Sequence, residues 1–453
     1  MFEFGRELRR LLGAPRGVST IKDGLTGGDA PLLELIDLRM LRAEAQAADV
    51  AAGRISAKDR PRRLLEAAIV WREYARRSAD AAALRKAAAD AERAAEAYRG
   101  CHRQQGWARA RLEQGRAALV GAELFGDRGL EAAAERAAQE AGRAGGVAAV
   151  LAGAMLAEVA ARRSTTAGEI NQVRIAATAF NEPIALLETA GRREAMLKLA
   201  GAEARLARAQ LFAGAGLRLH DEGLLRAAAG DLSAAAERLD GAYEPLTLSR
   251  VALARGAAKA ALAELRGDIA GLAEAVGELA GELDGLGRDH SPLDWARGQA
   301  ALGQALSQLG EVTASEAAFA KSIACYDRAD LVLQGANGVL LRAEVASGRG
   351  LAFARCAELT GDLNCLDRAE AAFKAELAAA PHRTDPVAWA MLQVQLGQVY
   401  AARLKLAGEN AGERASAALA FRAALEVFAE SGLRSLAAVA ADGLELLATA
   451  KVD

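Results

Sequence analysis

The feature that most constrains this sequence is a spacing. Three stretches begin with tryptophan and share a helical pattern (Trp107-Ala-Arg-Ala-Arg-Leu112, Trp295-Ala-Arg-Gly-Gln-Ala-Ala-Leu302 and Trp389-Ala-Met-Leu392), and they stand 188 and 94 residues apart, four and two times 47. A chain that repeats itself at such a period is built of stacked supersecondary units, not around one central core. Stepping the register both ways puts helix starts at 60, 107, 154, 201, 248, 295, 342, 389 and 436. Eight residues into these repeats runs a small column, Ala68, Gly115, Ala209, Gly256, Gly303, Gly350 and Gly397, broken by Arg162 and Leu444. Eleven residues in, a mostly bulky column includes Trp71, Phe212, Leu306, Phe353, Tyr400 and Leu447.

Within one repeat, Trp295, Leu302, Leu306 and Leu309 fall on a single helix face, which has to be buried. The small residue beside that stripe lets a second helix come close, which offsets the helix-propensity cost of glycine, about 1 kcal/mol. After a turn carrying Gly126-Asp127, Gly267-Asp268, Gly310 or Gly361 comes another apolar-periodic stretch, such as Leu363, Leu366, Ala369, Phe373 and Leu377. Each period therefore predicts a helix hairpin.

These residues resemble the tetratricopeptide repeat (TPR) family. Leu396-Gly397-Gln-Val-Tyr400 matches the Leu-Gly-x-x-Tyr pattern of its first helix, and Ala417, Phe421 and Ala424 match the Ala, aromatic, Ala spacing of its second. In the repeat of Trp295 the equivalents are Leu302, Gly303, Leu306, Gly310, Ser315, Phe319 and Ser322. The match is clear over 248–450, fair over 60–140 and poor between. The resemblance implies an all-α, superhelical α-solenoid of stacked antiparallel helix hairpins. Because two-helix HEAT-type repeats run to about 40–47 residues against about 34 in the TPR family, HEAT-like packing is the alternative.

The same resemblance implies a concave surface of first helices that grips a peptide or a partner helix. Its groove positions, carried over three before, one after and four after the small-column glycine, are Ala300, Gln304 and Ser307, then Ser347, Leu351 and Ala354, then Val394, Gln398 and Ala401. The family's Lys/Asn clamp for a C-terminal carboxylate is missing. Arg297, Gln304, Ser307 and Gln398 are the expected partner-binding residues.

Composition narrows the remaining classes. Hydrophobic residues make up 52% but aromatics only 4%, so alanine dominates the apolar share and favours thin, close-packed helix interfaces. A net charge of −2 argues against general nucleic-acid binding. Cys101, Cys325, Cys356 and Cys365 show no C-x-x-C pairing for zinc, and His102, His220, His290 and His382 fall in different repeats. No G-x-S-x-G, H-E-x-x-H or Walker sequence is present, so neither an enzyme nor a cofactor or metal is expected. Glu3, Arg6, Glu7, Arg9 and Arg10 interrupt any secretory core, and the longest uncharged run, Ala144 to Ala157, is 14 residues, short of the roughly 18 that span a bilayer. A cytoplasmic location is expected.

In chain order, residues 1–12 read as an amphipathic helix able to dock on the array or touch an anionic membrane surface, and 13–30 as a Gly/Pro linker. A helix opening at Asp29-Ala-Pro31 begins a repeat array over 31–453, irregular over about 154–200, where Arg162 and Glu182-Pro183 break the pattern, and ended by a capping helix over 433–450. The function expected is a protein–protein interaction scaffold or adaptor. The alternatives are a scaffold recruited to membranes by residues 1–12 and a repeat-built regulator or enzyme.

Overall fold

In the computed structural model of the chain, residues 33–54, 59–164, 170–191, 194–334, 338–379, 386–408 and 412–449 are described. The segments 1–12 and 13–30 and Pro31 lie outside the described residues. Those that are described form helices and turns, with no strand among them. In order the helices are α1 (Leu38–Gly53), α2 (Arg60–Ser78), α3 (Ala81–Gly100), α4 (Gln104–Phe125), α5 (Arg128–Gly142), α6 (Gly146–Ser164), α7 (Ile170–Thr178), α8 (Asn181–Gly191), α9 (Ala195–Leu219) and α10 (Glu222–Ala236). They continue with α11 (Pro245–Arg266), α12 (Ile269–Gly285), α13 (Pro292–Thr313), α14 (Glu316–Leu333), α15 (Val339–Thr360), α16 (Leu363–Ala379), α17 (Pro386–Ala407), α18 (Glu413–Glu430) and α19 (Arg434–Thr449). Among the described residues this is the all-α succession of antiparallel helix hairpins that the spacing predicts.

The hairpin turns share one chemistry. A residue in the left-handed region ends the first helix, and the next residue, almost always aspartate, caps the second: Ala79-Asp80, Gly126-Asp127, His220-Asp221, Gly267-Asp268 and Gly361-Asp362. The aspartate side chains accept from backbone N–H groups of the first turn, Asp80 from Ala82 at 2.8 Å, Asp127 from Gly129 at 2.8 Å and Asp362 from Asn364 at 2.9 Å. At the turn of α13 and α14, Ala314 takes the left-handed residue and Ser315 the cap. His220 is therefore a turn residue, and nothing in its position asks for chemistry.

First helices α11, α13, α15 and α17 start 47 residues apart, three of them on a proline, which suits the first helical position because its missing N–H has no intrahelical partner there. The earlier ones, α2, α4, α6 and α9, start at uneven intervals, so the period belongs to the second half of the chain. The break expected at Glu182-Pro183 falls at residues 179–180, between α7 and α8, and Pro183 sits in the first turn of α8. The opening expected at Asp29-Ala-Pro31 lies outside the described residues, of which Leu33 is helical; α1 begins at Leu38, where the Asp37 side chain accepts from Met40 N at 2.7 Å.

The small column is a row of sockets. A Cβ built on Gly256, Gly303, Gly350 or Gly397 would lie 2.8, 3.0, 2.7 or 2.9 Å from Leu279, Tyr326, Phe373 or Phe421, each on the second helix of the same hairpin. On Gly115 it would lie 2.6 Å from Met155 Sδ. Some of these wedges serve two repeats. Tyr326 also fills the space over Gly348 of α15, and Phe421 the space over Gly443 of α19. Ridge-into-groove packing at such sockets brings helix backbones closer than any side chain would allow.

The chain divides into two compact units. Unit 1 holds residues up to 265 with 277–298 and 332–340, and unit 2 holds 266–276, 299–331 and 341–453. Inside unit 1 the apolar core runs through Leu112, Met155, Phe180, Leu187, Leu197 and Leu211. In unit 2 it runs through Phe353, Leu366, Phe373 and Leu396, and on through Phe421, Phe428 and Leu447.

One buried group in unit 2 works against stability. Glu376 on α16 has a buried carboxylate oxygen without a hydrogen-bond partner among the described residues, and burial alone raises its pKa to about 7. A raised carboxylate pKa means that the folded chain holds the proton longer than the unfolded one, so stability falls as pH climbs from about 4.5 to about 7. Glu376→Gln should remove that slope. After discounting for partial exposure, the variant is expected to gain roughly 1–2 kcal/mol over the parent at pH 8 and little at pH 5, read from urea unfolding at both values.

Candidate functional site

The first helices α15, α17 and α19 of unit 2 line a cavity of about 880 Å³, within the size range of ligand sites. Its position follows from the sockets: Phe373 and Phe421, pressed onto Gly350 and Gly397, form part of its wall, and the faces of the three first helices beside those glycines are left open. Apolar lining comes from Leu351, Ala354, Ala401, Leu404, Val439 and Leu446. Val439 and Leu446 are 46% and 70% exposed, unusual for large apolar side chains on one helix.

Charges of both signs surround this lining. Arg355 donates to Glu358 at 2.8 Å and stands 3.8 Å from Glu311, while Arg414 donates to the carbonyl of Leu447. Lys405 and Asp442 are exposed and make no ion pair among the described residues. Gln395 accepts from Ser347 Oγ at 2.9 Å, which leaves Gln398, also exposed, with both donor and acceptor available at the surface. Such a surface can hold an apolar side chain and orient it with a few polar contacts.

The residues expected from sequence divide between the units. Gln398 lines the cavity, together with the groove positions Leu351, Ala354 and Ala401. Gln304 is exposed and Ser307 half-buried in unit 2, outside the cavity lining. Ala300, Ala354 and Val394 are buried, so their side chains pack as well as line. Leu446, Lys405 and Asp442 escaped sequence reading, although Leu351, Gln398 and Leu446 continue one column at intervals of 47 and 48.

Arg297 belongs to unit 1, and there it is already engaged. Its guanidinium pairs with Glu123 and reaches Asp294 at 3.9 Å. Asp294 is 2% exposed, and its Oδ2 takes Ser291 Oγ at 2.6 Å, Arg250 at 3.0 Å and Arg76 at 3.6 Å. Burial acts to raise the Asp294 pKa, but Arg250 and then Arg76 outweigh it, and the carboxyl is held far below its ordinary range. Glu73 behaves alike: burial is overcome by Arg76 and Arg77. Arg297 is thus part of a largely buried ionic network instead of a free groove residue, and a charge reversal there would set a carboxylate against Glu123 and Asp294.

No family model matches the chain, and the comparison with curated proteins found no match. Among solved structures it is similar to a Rap protein complexed with competence and sporulation factor, at 11% identity over 89% of this chain and 98% of that one, with a TM-score of 0.45. It is also similar to a circular tandem repeat protein with a novel repeat topology and enhanced subunit contact surfaces, at 15% identity over 92% and 96% of the two chains and a TM-score of 0.26. Neither likeness bears on what this chain binds. Among the described residues no helix is long and apolar enough to cross a membrane.

Proposed function

We propose that the chain is a protein-interaction scaffold that holds a partner peptide or helix in the unit 2 cavity, in a cytoplasmic setting. The carrying observation is the exposure of Val439 and Leu446, seven residues apart on α19 and therefore on one face, beside Gln398 in a cavity of about 880 Å³. An apolar stripe of this kind, rimmed by Lys405 and Asp442, fits the apolar face of an amphipathic helix or the side chains of an extended peptide. Gln304 and Ser307 would extend the contact along α13.

Site-specific photo-crosslinking in native cells tests this. A photoreactive residue placed at Gln398 or Leu446 is expected to give discrete protein adducts. The same residue at Lys374, which is exposed on α16 and paired to Glu370 at 2.6 Å, is expected to give none. Leu446→Lys should reduce adduct yield at 398 at least tenfold, while its stability stays within about 0.5 kcal/mol, as for surface positions generally. Adducts from Lys374 alone would refute the reading.

A further inference from the structure

In unit 1 a short segment ahead of α1 is seated as a bound peptide would be. Residues 33–36, Leu-Glu-Leu-Ile, run from the helical Leu33 through a turn toward α1. Leu33, Glu34 and Ile36 are 4%, 3% and 3% exposed, while Leu35 points outward at 40%. Three separate elements hold the segment. Arg77 of α2, itself fully buried and oriented by a 2.7 Å bond to Glu73, donates at 2.8 Å to the carbonyls of both Leu33 and Ile36. The first turn of α11 takes the Glu34 carboxylate, through Thr247 N at 2.9 Å and the Thr247 hydroxyl. His290, in the turn before α13, places Nε2 2.6 Å from the Glu34 carbonyl.

These contacts read main-chain carbonyls and one carboxylate, which are the features by which a receptor recognises a short peptide irrespective of most of its side chains. The carboxylate meets a helix N-terminus, where the exposed N–H groups and the macrodipole favour an anion. Burial pushes the Glu34 pKa up, against the pull of Arg250 and of the Thr247 hydrogen bonds, which favour the carboxylate.

We propose that the seat made by Arg77, Thr247 and His290 is a peptide-binding site that residues 33–36 fill in cis, and that it accepts a partner segment with the pattern apolar, Glu, any residue, apolar. The segment of this chain then acts as an internal competitor. A partner bearing the motif displaces it, and residues 33–37 swing out on α1. The site lies within unit 1 and does not depend on the cavity of unit 2.

The test uses the full chain and a fluorescent capped peptide, Leu-Glu-Leu-Ile-Asp-Leu, copied from residues 33–38. The Glu34→Lys chain, whose own segment no longer suits the seat, is expected to bind this peptide at least tenfold tighter than the parent chain. A peptide with Gln in place of its Glu should bind that variant at least tenfold more weakly. Equal binding of the copied and a scrambled peptide by the folded variant overturns the proposal. Should the variant fail to fold, hydrogen exchange on the parent chain decides: excess copied peptide is expected to speed exchange across 33–38, including Leu38 N, bonded to Asp289 O at 3.4 Å, and unchanged exchange at millimolar peptide overturns it.

Discussion

Asp294→Ala is expected to destabilise unit 1 by about 3–5 kcal/mol, the cost of leaving the buried Arg250 guanidinium without its counter-charge and Arg76 with Glu73 alone. The substitution removes the one carboxylate that Arg76, Arg250 and Ser291 share. Because these partners are themselves largely buried, water cannot replace it at once. Asp294→Asn, which keeps the shape and one acceptor, should cost less but still lose the charge. Denaturant unfolding followed by hydrogen exchange at α2, α11 and the first turns of α13 separates this from any effect in unit 2. A loss under about 1 kcal/mol for the alanine variant would mean that the network contributes little.

The pH dependence of that deficit carries its own sign. Asp294 has a folded pKa depressed below its ordinary value near 3.8, so its contribution is present above that value and is lost as pH falls through the folded one. The difference between parent and Asp294→Ala should therefore be flat between about pH 5 and 8 and shrink only in strong acid. Glu73, also held low, would follow the same course.

The second large effect belongs to the sockets. Gly350→Leu should cost at least about 1–3 kcal/mol, because Phe373, 1% exposed, has no room to yield to a side chain whose Cβ alone would stand 2.7 Å from its ring. Gly303→Leu, against Tyr326, should behave alike. Alanine at 350 is more discriminating, since it gains helix propensity worth about 1 kcal/mol and loses packing. Gly281 of α12, where a Cβ would meet nothing within 4 Å, is the control. Gly281→Ala should stabilise by about 0.5–1 kcal/mol and Gly350→Ala should destabilise, as read by thermal unfolding. Stabilisation at both positions would mean the socket is slack.

The repeat and its hairpins are legible in the sequence because they rest on local rules: helical periodicity, a glycine column, and a left-handed turn residue followed by a capping aspartate. What fills each glycine socket is not, since Tyr326 lies 23 residues beyond Gly303 on another helix and could have been any bulky residue. The engagement of Arg297 stays hidden for the same reason. Its counter-charge, Glu123, lies 174 positions earlier, and no pattern along the chain announces that pairing. Of the candidate site, Gln398, Leu351 and Ala401 can be placed from the repeat alone, whereas Lys405 and Asp442 require knowing which helix faces stay uncovered. The start of α1 is legible in Asp37, because a side-chain cap fixes an N-terminus directly.

The wedges shared between neighbours determine where this protein can be cut. Phe421 rests on Gly397 and on Gly443, and Tyr326 on Gly303 and Gly348, so the interval that closes upon itself is offset from the hairpin. A chain shortened after α18 would keep every hairpin whole and yet bare one side of Phe421. Shortening it after α15 instead would leave Tyr326 covered on both sides, at the expense of an open Gly350 socket. Recombinant fragments, or copies of the repeat moved into another scaffold, should therefore stay monodisperse when they carry one extra first helix. They should bind a hydrophobic dye and self-associate when they stop at the end of a hairpin.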